Sequence, residues 1–126
     1  MKKLNDKVQL HPKVTLQFFT DEKCFGPGVA LLLEKIKENN SMRKAAFEIG
    51  MSYSKAWTII RRAEKNLGFA LLNSKTGGAD GGGATLTESG EKMLIAFREC
   101  EKELFLYTED KFNEYFSWID NSVIEK

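Results

Sequence analysis

Residues 41–67, SMRKAAFEIGMSYSKAWTIIRRAEKNL, hold two apolar stripes at helical spacing with a single glycine between them. Met42, Ala45, Ala46 and Ile49 fall at i, i+3, i+4 and i+7, and Ala56, Ile60, Ala63 and Leu67 share one face of the next segment. A serine precedes each stripe. Ser41 and Ser52 suit N-caps, because a hydroxyl oxygen accepts from a backbone N–H that has no partner inside the helix. Gly50 stands where a left-handed residue closes the first helix, and Gly68 stops the second. The pattern predicts a short helix, a tight turn and a second helix over about 52–67.

The flanking segments set the frame. Lys13–Phe19 alternates Val14, Leu16 and Phe18 with polar residues and predicts a strand, with Cys24 and Phe25 returning beside it. Pro27 suits the first position of a helix carrying Val29, Leu32, Leu33 and Ile36. After Gly68, FALLNS and ATL bracket KTGGADGGG, which predicts a hairpin with a long glycine-rich tip. Thr87 caps a further helix whose stripe is Met93, Phe97, Cys100, Leu104 and Tyr107. Past TEDK the stripe moves to Phe112, Phe116 and Ile119, which predicts a kink or a new helix capped by Thr108. The fold class is mainly α with small β: a winged helix-turn-helix with a β-hairpin wing and a long C-terminal linker or dimerisation helix. The boundary falls between 1–86, with the helix-turn-helix at about 41–67 and the wing at about 69–86, and the helix and tail of 87–126.

A formal net charge of +1 names no partner, but its distribution does. Residues 41–65 carry six bases against two acids, and residues 101–126 carry seven acids against three bases. A basic middle and an acidic end suit one face that meets a polyanion. Enzyme chemistry finds no support. His11 is the sole histidine, and Cys24 and Cys100 lie far apart without C-x-x-C spacing, so no metal site or cofactor is expected. Ser52 and Ser54 have no base near them in sequence. In the glycine loop, Gly77 and Gly82 have P-loop spacing, but Gly83 stands where the lysine is needed. With no signal peptide, no long apolar run and free thiols, the expected compartment is the cytoplasm.

A helix-turn-helix aims the first residues of its second helix at base edges in the major groove. Tyr53, Ser54, Lys55 and Thr58 occupy that position, and the N–H groups at Ser52 suit a phosphate. Ser41, Arg43, Lys44, Arg61, Arg62 and Lys75 are placed for phosphates. Trp57 reads as a packing residue. The expected partner is double-stranded DNA, bound by a homodimer joined through Met93, Phe97, Cys100, Leu104 and Tyr107. Two rival readings keep the fold: a protein-interaction module, and a small oxyanion-binding protein that uses the glycine loop.

FGPGVALLLEKI, SMRKAAFEIGMSYSKAW, TGGADGGGATLTESG and the helix after them resemble the N-terminal DNA-binding domain of ModE-type molybdate-responsive regulators. They are more distantly similar to LysR-type winged helices, which share the LT-x-x-G step into a linker helix. The resemblance covers roughly residues 13–107. It implies a dimeric regulator of transcription, with Ser52 to Arg62 as recognition helix and Lys75 to Ala84 as wing. Members of the ModE family continue into a molybdate-binding region, whereas this chain ends about twenty residues past the linker helix. No molybdate site is therefore expected in it.

Overall fold

A computed structural model describes residues 9–74 and 83–119. Its elements in order are β1 (Phe18–Phe19), β2 (Lys23–Phe25), α1 (Pro27–Asn39), α2 (Met42–Glu48), α3 (Tyr53–Leu67), β3 (Leu72–Ser74), β4 (Ala84–Leu86) and α4 (Glu88–Phe116). The strands form two separate antiparallel pairs, β1 with β2 and β3 with β4. One compact unit spans Thr15–Glu99. A second takes in the described residues 9–14 and 100–119.

The core of the larger unit is built from the expected stripes. Val29, Leu32, Leu33 and Ile36 of α1 are buried with Met42, Ala45 and Ala46 of α2 and Ala56, Ile60 and Ala63 of α3. Where α2 meets α3 the buried residues are mostly alanine, which lets the two backbones approach closely. Pro27 opens α1, and Asn40 closes it in the left-handed region at φ 54°. The carbonyl of Asn40 accepts from Ala84 N–H at 3.2 Å, which ties the α1–α2 connection to β4. Arg98 of α4 makes a two-pronged bond to Glu34 of α1, Nε to Oε2 at 2.8 Å and a terminal nitrogen to Oε1 at 2.9 Å. That hydrogen bond and the adjacent positive charge hold the Glu34 carboxyl below its ordinary range.

Three expectations differ from the structure. The strand read over Lys13–Phe19 is reduced to Phe18–Phe19, because β2 offers only three residues and the register slips between Phe18 and Phe19. The strand read over FALLNS begins only at Leu72, where its pairing with β4 starts opposite Leu86. No new helix starts at Thr108, and α4 is one helix of 29 residues. No glycine or proline lies between Gly90 and Phe116, so nothing in the backbone forces a break.

The larger unit also extends to Glu99, past the boundary read at residue 86. The reason is that Gly90, Leu94 and Phe97 of α4 are buried. Phe97, read from its spacing as part of a seam between protomers, is only 1% exposed. It packs edge-on to Phe25 and Phe18, with ring centroids 5.0 and 5.8 Å away. Met93 packs against the same core. Phe97 thus has no free surface to offer a partner, and Met93 keeps only part of its own.

Gly90 marks the tightest joint. A Cβ placed there would lie 2.2 Å from the carbonyl oxygen of Leu71, a backbone atom that cannot swing aside. Gly90→Ala is expected to destabilise the fold at or above the upper end of the roughly 1–3 kcal/mol typical of overpacking. Urea unfolding followed by circular dichroism measures the loss.

Candidate nucleic-acid interface

The interface is set by two caps and one turn. Ser41 Oγ accepts from Lys44 N–H at 3.1 Å and starts α2. With Met42, Ala45 and Ala46 facing inward, Arg43, Lys44, Phe47 and Glu48 are exposed. Gly50 turns the chain at φ +73°, a conformation that glycine adopts without a Cβ clash. Met51 N–H then donates to the Ala46 carbonyl at 2.9 Å and fixes the exit from the turn. Ser52 Oγ accepts from Lys55 N–H at 3.1 Å and starts α3.

Because Ala56, Ile60 and Ala63 are buried, the opposite side of α3 presents Ser54, Lys55, Thr58, Arg61, Arg62 and Lys65 to solvent. Thr58 Oγ1 donates to the Ser54 carbonyl at 2.9 Å, so its methyl and the acceptor lone pairs of its oxygen are what it has left to offer. Tyr53 is half-buried against the core, and the Arg43 guanidinium lies 4.2 Å over its ring. Trp57 likewise packs on the core, as its size suggests, and Arg61 lies 4.6 Å over it.

The cations are not equivalent. Lys44 and Lys55 are exposed and form no ion pair among the described residues. Arg62 pairs with Glu22 in the β1–β2 turn at 3.9 Å, and Glu22 also accepts from Asn66 Nδ2 at 3.0 Å. Arg62 is therefore partly neutralised from within the chain, unlike Lys55. Lys75 and the glycine-rich tip, residues 75–82, lie outside the described residues.

The base of the wing is held by a residue that the sequence pattern does not reveal. Glu64 of α3 reads as an i, i+3 partner for Arg61, but that contact is long, at 4.0 Å. Its Oε2 instead accepts from Leu71 and Leu72 N–H at 2.8 and 3.2 Å. The bond crosses the turn at Gly68, and no periodicity encodes it. On the other side Thr87 Oγ1 donates to the Ala70 carbonyl at 2.7 Å and also accepts from Gly90 N–H at 2.8 Å. Between these anchors β3 and β4 pair in register, Leu72 with Leu86, Asn73 with Thr85 and Ser74 with Ala84.

Among the described residues no cluster of three or more His, Cys, Asp or Glu is placed to hold a metal, and no helix is long and apolar enough to cross a membrane.

A short helix, a glycine turn, a capped second helix and an anchored hairpin are the parts of a known domain. The family described as bacterial regulatory helix-turn-helix protein, lysR family, matches residues 30–91. Residues 30–91 are a LysR-type helix-turn-helix domain. This LysR-type domain shares its fold with a solved structure, "Crystal structure of CbnR_DBD-DNA complex", at a TM-score of 0.54 and 22% identity, over 69% of this chain and 93% of that one. The molybdenum transport protein ModE of Herbaspirillum seropedicae is 31% identical over 97 residues, which is 77% of this chain and 34% of that protein. The DNA-binding transcriptional dual regulator ModE of Escherichia coli is 30% identical over 86 residues, 68% of this chain and 33% of that protein. The chain thus spans about a third of the length of these curated relatives.

Within the LysR-type domain, Glu64 is a tether rather than a contact residue. Glu64→Ala leaves two backbone N–H groups without a partner, on buried Leu71 and Leu72. It is expected to cost about 1–3 kcal/mol for each group that water cannot reach. Chemical denaturation reads the total, and amide exchange at Leu71 and Leu72 locates it.

Proposed function

We propose that this chain binds double-stranded DNA as a cytoplasmic regulator of transcription, with α3 in the major groove. The observation that carries the reading is the opening of α3. Ser52 caps it, its apolar face is buried, and Ser54, Lys55 and Thr58 stand exposed at the end that a helix-turn-helix points at base edges. The structural neighbour, a DNA-binding domain in complex with DNA, and the DNA-binding regulator among the relatives support the same reading. Ser54, Lys55 and Thr58 are the candidate base readers, whereas Tyr53, grouped with them from the sequence, is half-buried beneath Arg43. Ser41, Arg43, Lys44, Arg61 and Lys75 are the phosphate contacts, with Arg62 secondary because Glu22 engages it. No catalytic step is assigned, and no oxyanion sensing is carried over from relatives of which the chain spans a third.

Selection from a random duplex pool followed by gel shifts tests this. Affinity should fall with salt at a slope of about −0.9 per phosphate neutralised. Lys55→Ala should cost roughly 1–3 kcal/mol at the selected site and relax its sequence preference. Lys44→Ala should weaken all sequences alike and reduce the slope by about 1. No shift with any duplex in low salt would overturn the reading.

We infer further that two copies associate through α4 beyond residue 100. Phe105, Leu106 and Tyr107 are 54–61% exposed in the single chain, a concentration of apolar surface that soluble proteins rarely leave bare. Cys100 and Leu104 flank it. Two recognition helices carried this way would meet half-sites about 34 Å apart or a multiple of that. Tyr107→Asp adds a charge to an exposed position, so the chain's own packing should survive while the dimer separates. Light scattering at micromolar concentration should find dimers of the parent and monomers of the variant.

A further inference from the structure

Two arginines of the candidate interface rest on aromatic rings, and each ring is itself wedged against the core. Arg43 of α2 lies 4.2 Å over Tyr53, the first residue of α3. Arg61 lies 4.6 Å over Trp57, one helical turn before it. Tyr53, Trp57 and Arg61 are spaced by four residues and form one row along α3. Both rings pack on buried residues, so they are fixed floors rather than mobile side chains. Acids do not account for the placement of these guanidinium groups. Among the described residues Arg43 has no ion pair, and Glu64 reaches Arg61 only at 4.0 Å while it serves two backbone N–H groups elsewhere.

We propose that Tyr53 and Trp57 are positioning residues, which hold Arg43 and Arg61 as a preset pair of phosphate clamps on either side of the base-reading turn. The proposal rests on the DNA reading above. A guanidinium stacked on a ring uses its face and keeps its in-plane N–H donors for a phosphate. A lysine in the same place gains less, since an ammonium has no flat face to stack. An arginine free in solvent must lose its rotamer freedom when it meets DNA, whereas a stacked one has already lost part of it. The aromatic residues thus act on affinity through the arginines and read no sequence themselves. The neighbouring Arg62 shows the contrast, because no ring among the described residues lies beneath it and an exposed carboxylate, Glu22, lies 3.9 Å away.

The first measurement is NMR on the free parent chain. The Nε–H signals of Arg43 and Arg61 should be shifted upfield by the ring currents, and Trp57→Leu should return the Arg61 signal to the ordinary position. Ordinary positions for both signals in the parent overturn the proposal without any variant. The second is a double-mutant cycle on a bound duplex. Trp57→Leu should weaken binding about 2–5-fold, the size of an exposed cation–π contact, and leave the salt slope unchanged. Arg61→Ala should lower that slope by about 0.9. Adding Trp57→Leu to Arg61→Ala should then change nothing further. Trp57→Phe, which keeps a ring and most of the packing, should restore most of the affinity. Equal losses from Trp57→Leu in both backgrounds would show a packing role and overturn the proposal. Upfield signals in a parent chain that binds no duplex would instead sink the DNA reading, and the clamp role with it.

Discussion

The backbone of Leu71 is where the parts of this domain are fastened together. Its N–H donates to Glu64 of α3, its carbonyl accepts from Thr87 N–H at 2.9 Å, and the same carbonyl lies against Gly90 of α4. One residue's backbone therefore ties α3, the wing and the long helix to each other. A hairpin of three residue pairs is marginal by itself, and a helix docked only by side chains can slide. Here hydrogen bonds through fixed backbone atoms set both. The side chain of Leu71, fully buried, adds the apolar contact that keeps water from competing for these bonds.

Much of this was legible in the sequence because it is local. Ser41, Ser52 and Thr87 each accept from the N–H three residues on, so the cap is written within four residues. Gly50 and Gly68 take positive φ where the apolar stripes stop. The LT-x-x-G step has a physical account: Thr87 caps α4, and Gly90 admits the Leu71 carbonyl. What was not legible depends on residues distant in sequence. Glu64 looks like one more surface acid until the chain folds back at Gly68. Phe97 has the spacing of a seam residue, and only the arrival of Phe18 and Phe25 turns it into core. The strand at 13–19 has good alternation, but a strand extends only as far as its partner, and β2 is three residues long. Trp57 reads correctly as a packing residue, and its contact with Arg61 is local, one turn along α3, whereas Arg43 comes to lie over Tyr53 only once α2 and α3 are both in place.

The charge pattern takes on meaning when it is sorted by partner. Of the bases in residues 41–65, Arg62 is drawn to Glu22 and the others face solvent or rest on rings. The acids that matter within the fold, Glu34 and Glu64, serve arginine and backbone N–H groups away from the exposed turn of α3. The positive face is therefore maintained as much by where acids are anchored as by how many bases there are. That is why a chain with a net charge of +1 can still present a locally positive side.

Anchoring the hairpin at its base has an evolutionary consequence. The register is fixed by Leu72–Leu86 and by the bonds from Glu64 and Thr87, all on the core side of the loop. Closing a longer or shorter segment between Ser74 and Ala84 changes the free energy only slowly, by about 0.6 kcal/mol per doubling of length. The anchors at Glu64 and Thr87 lie outside that segment and do not depend on its length. Selection can thus lengthen, trim or recompose that segment independently of the helices, and a descendant can acquire a different reach along its ligand while inheriting the same scaffold.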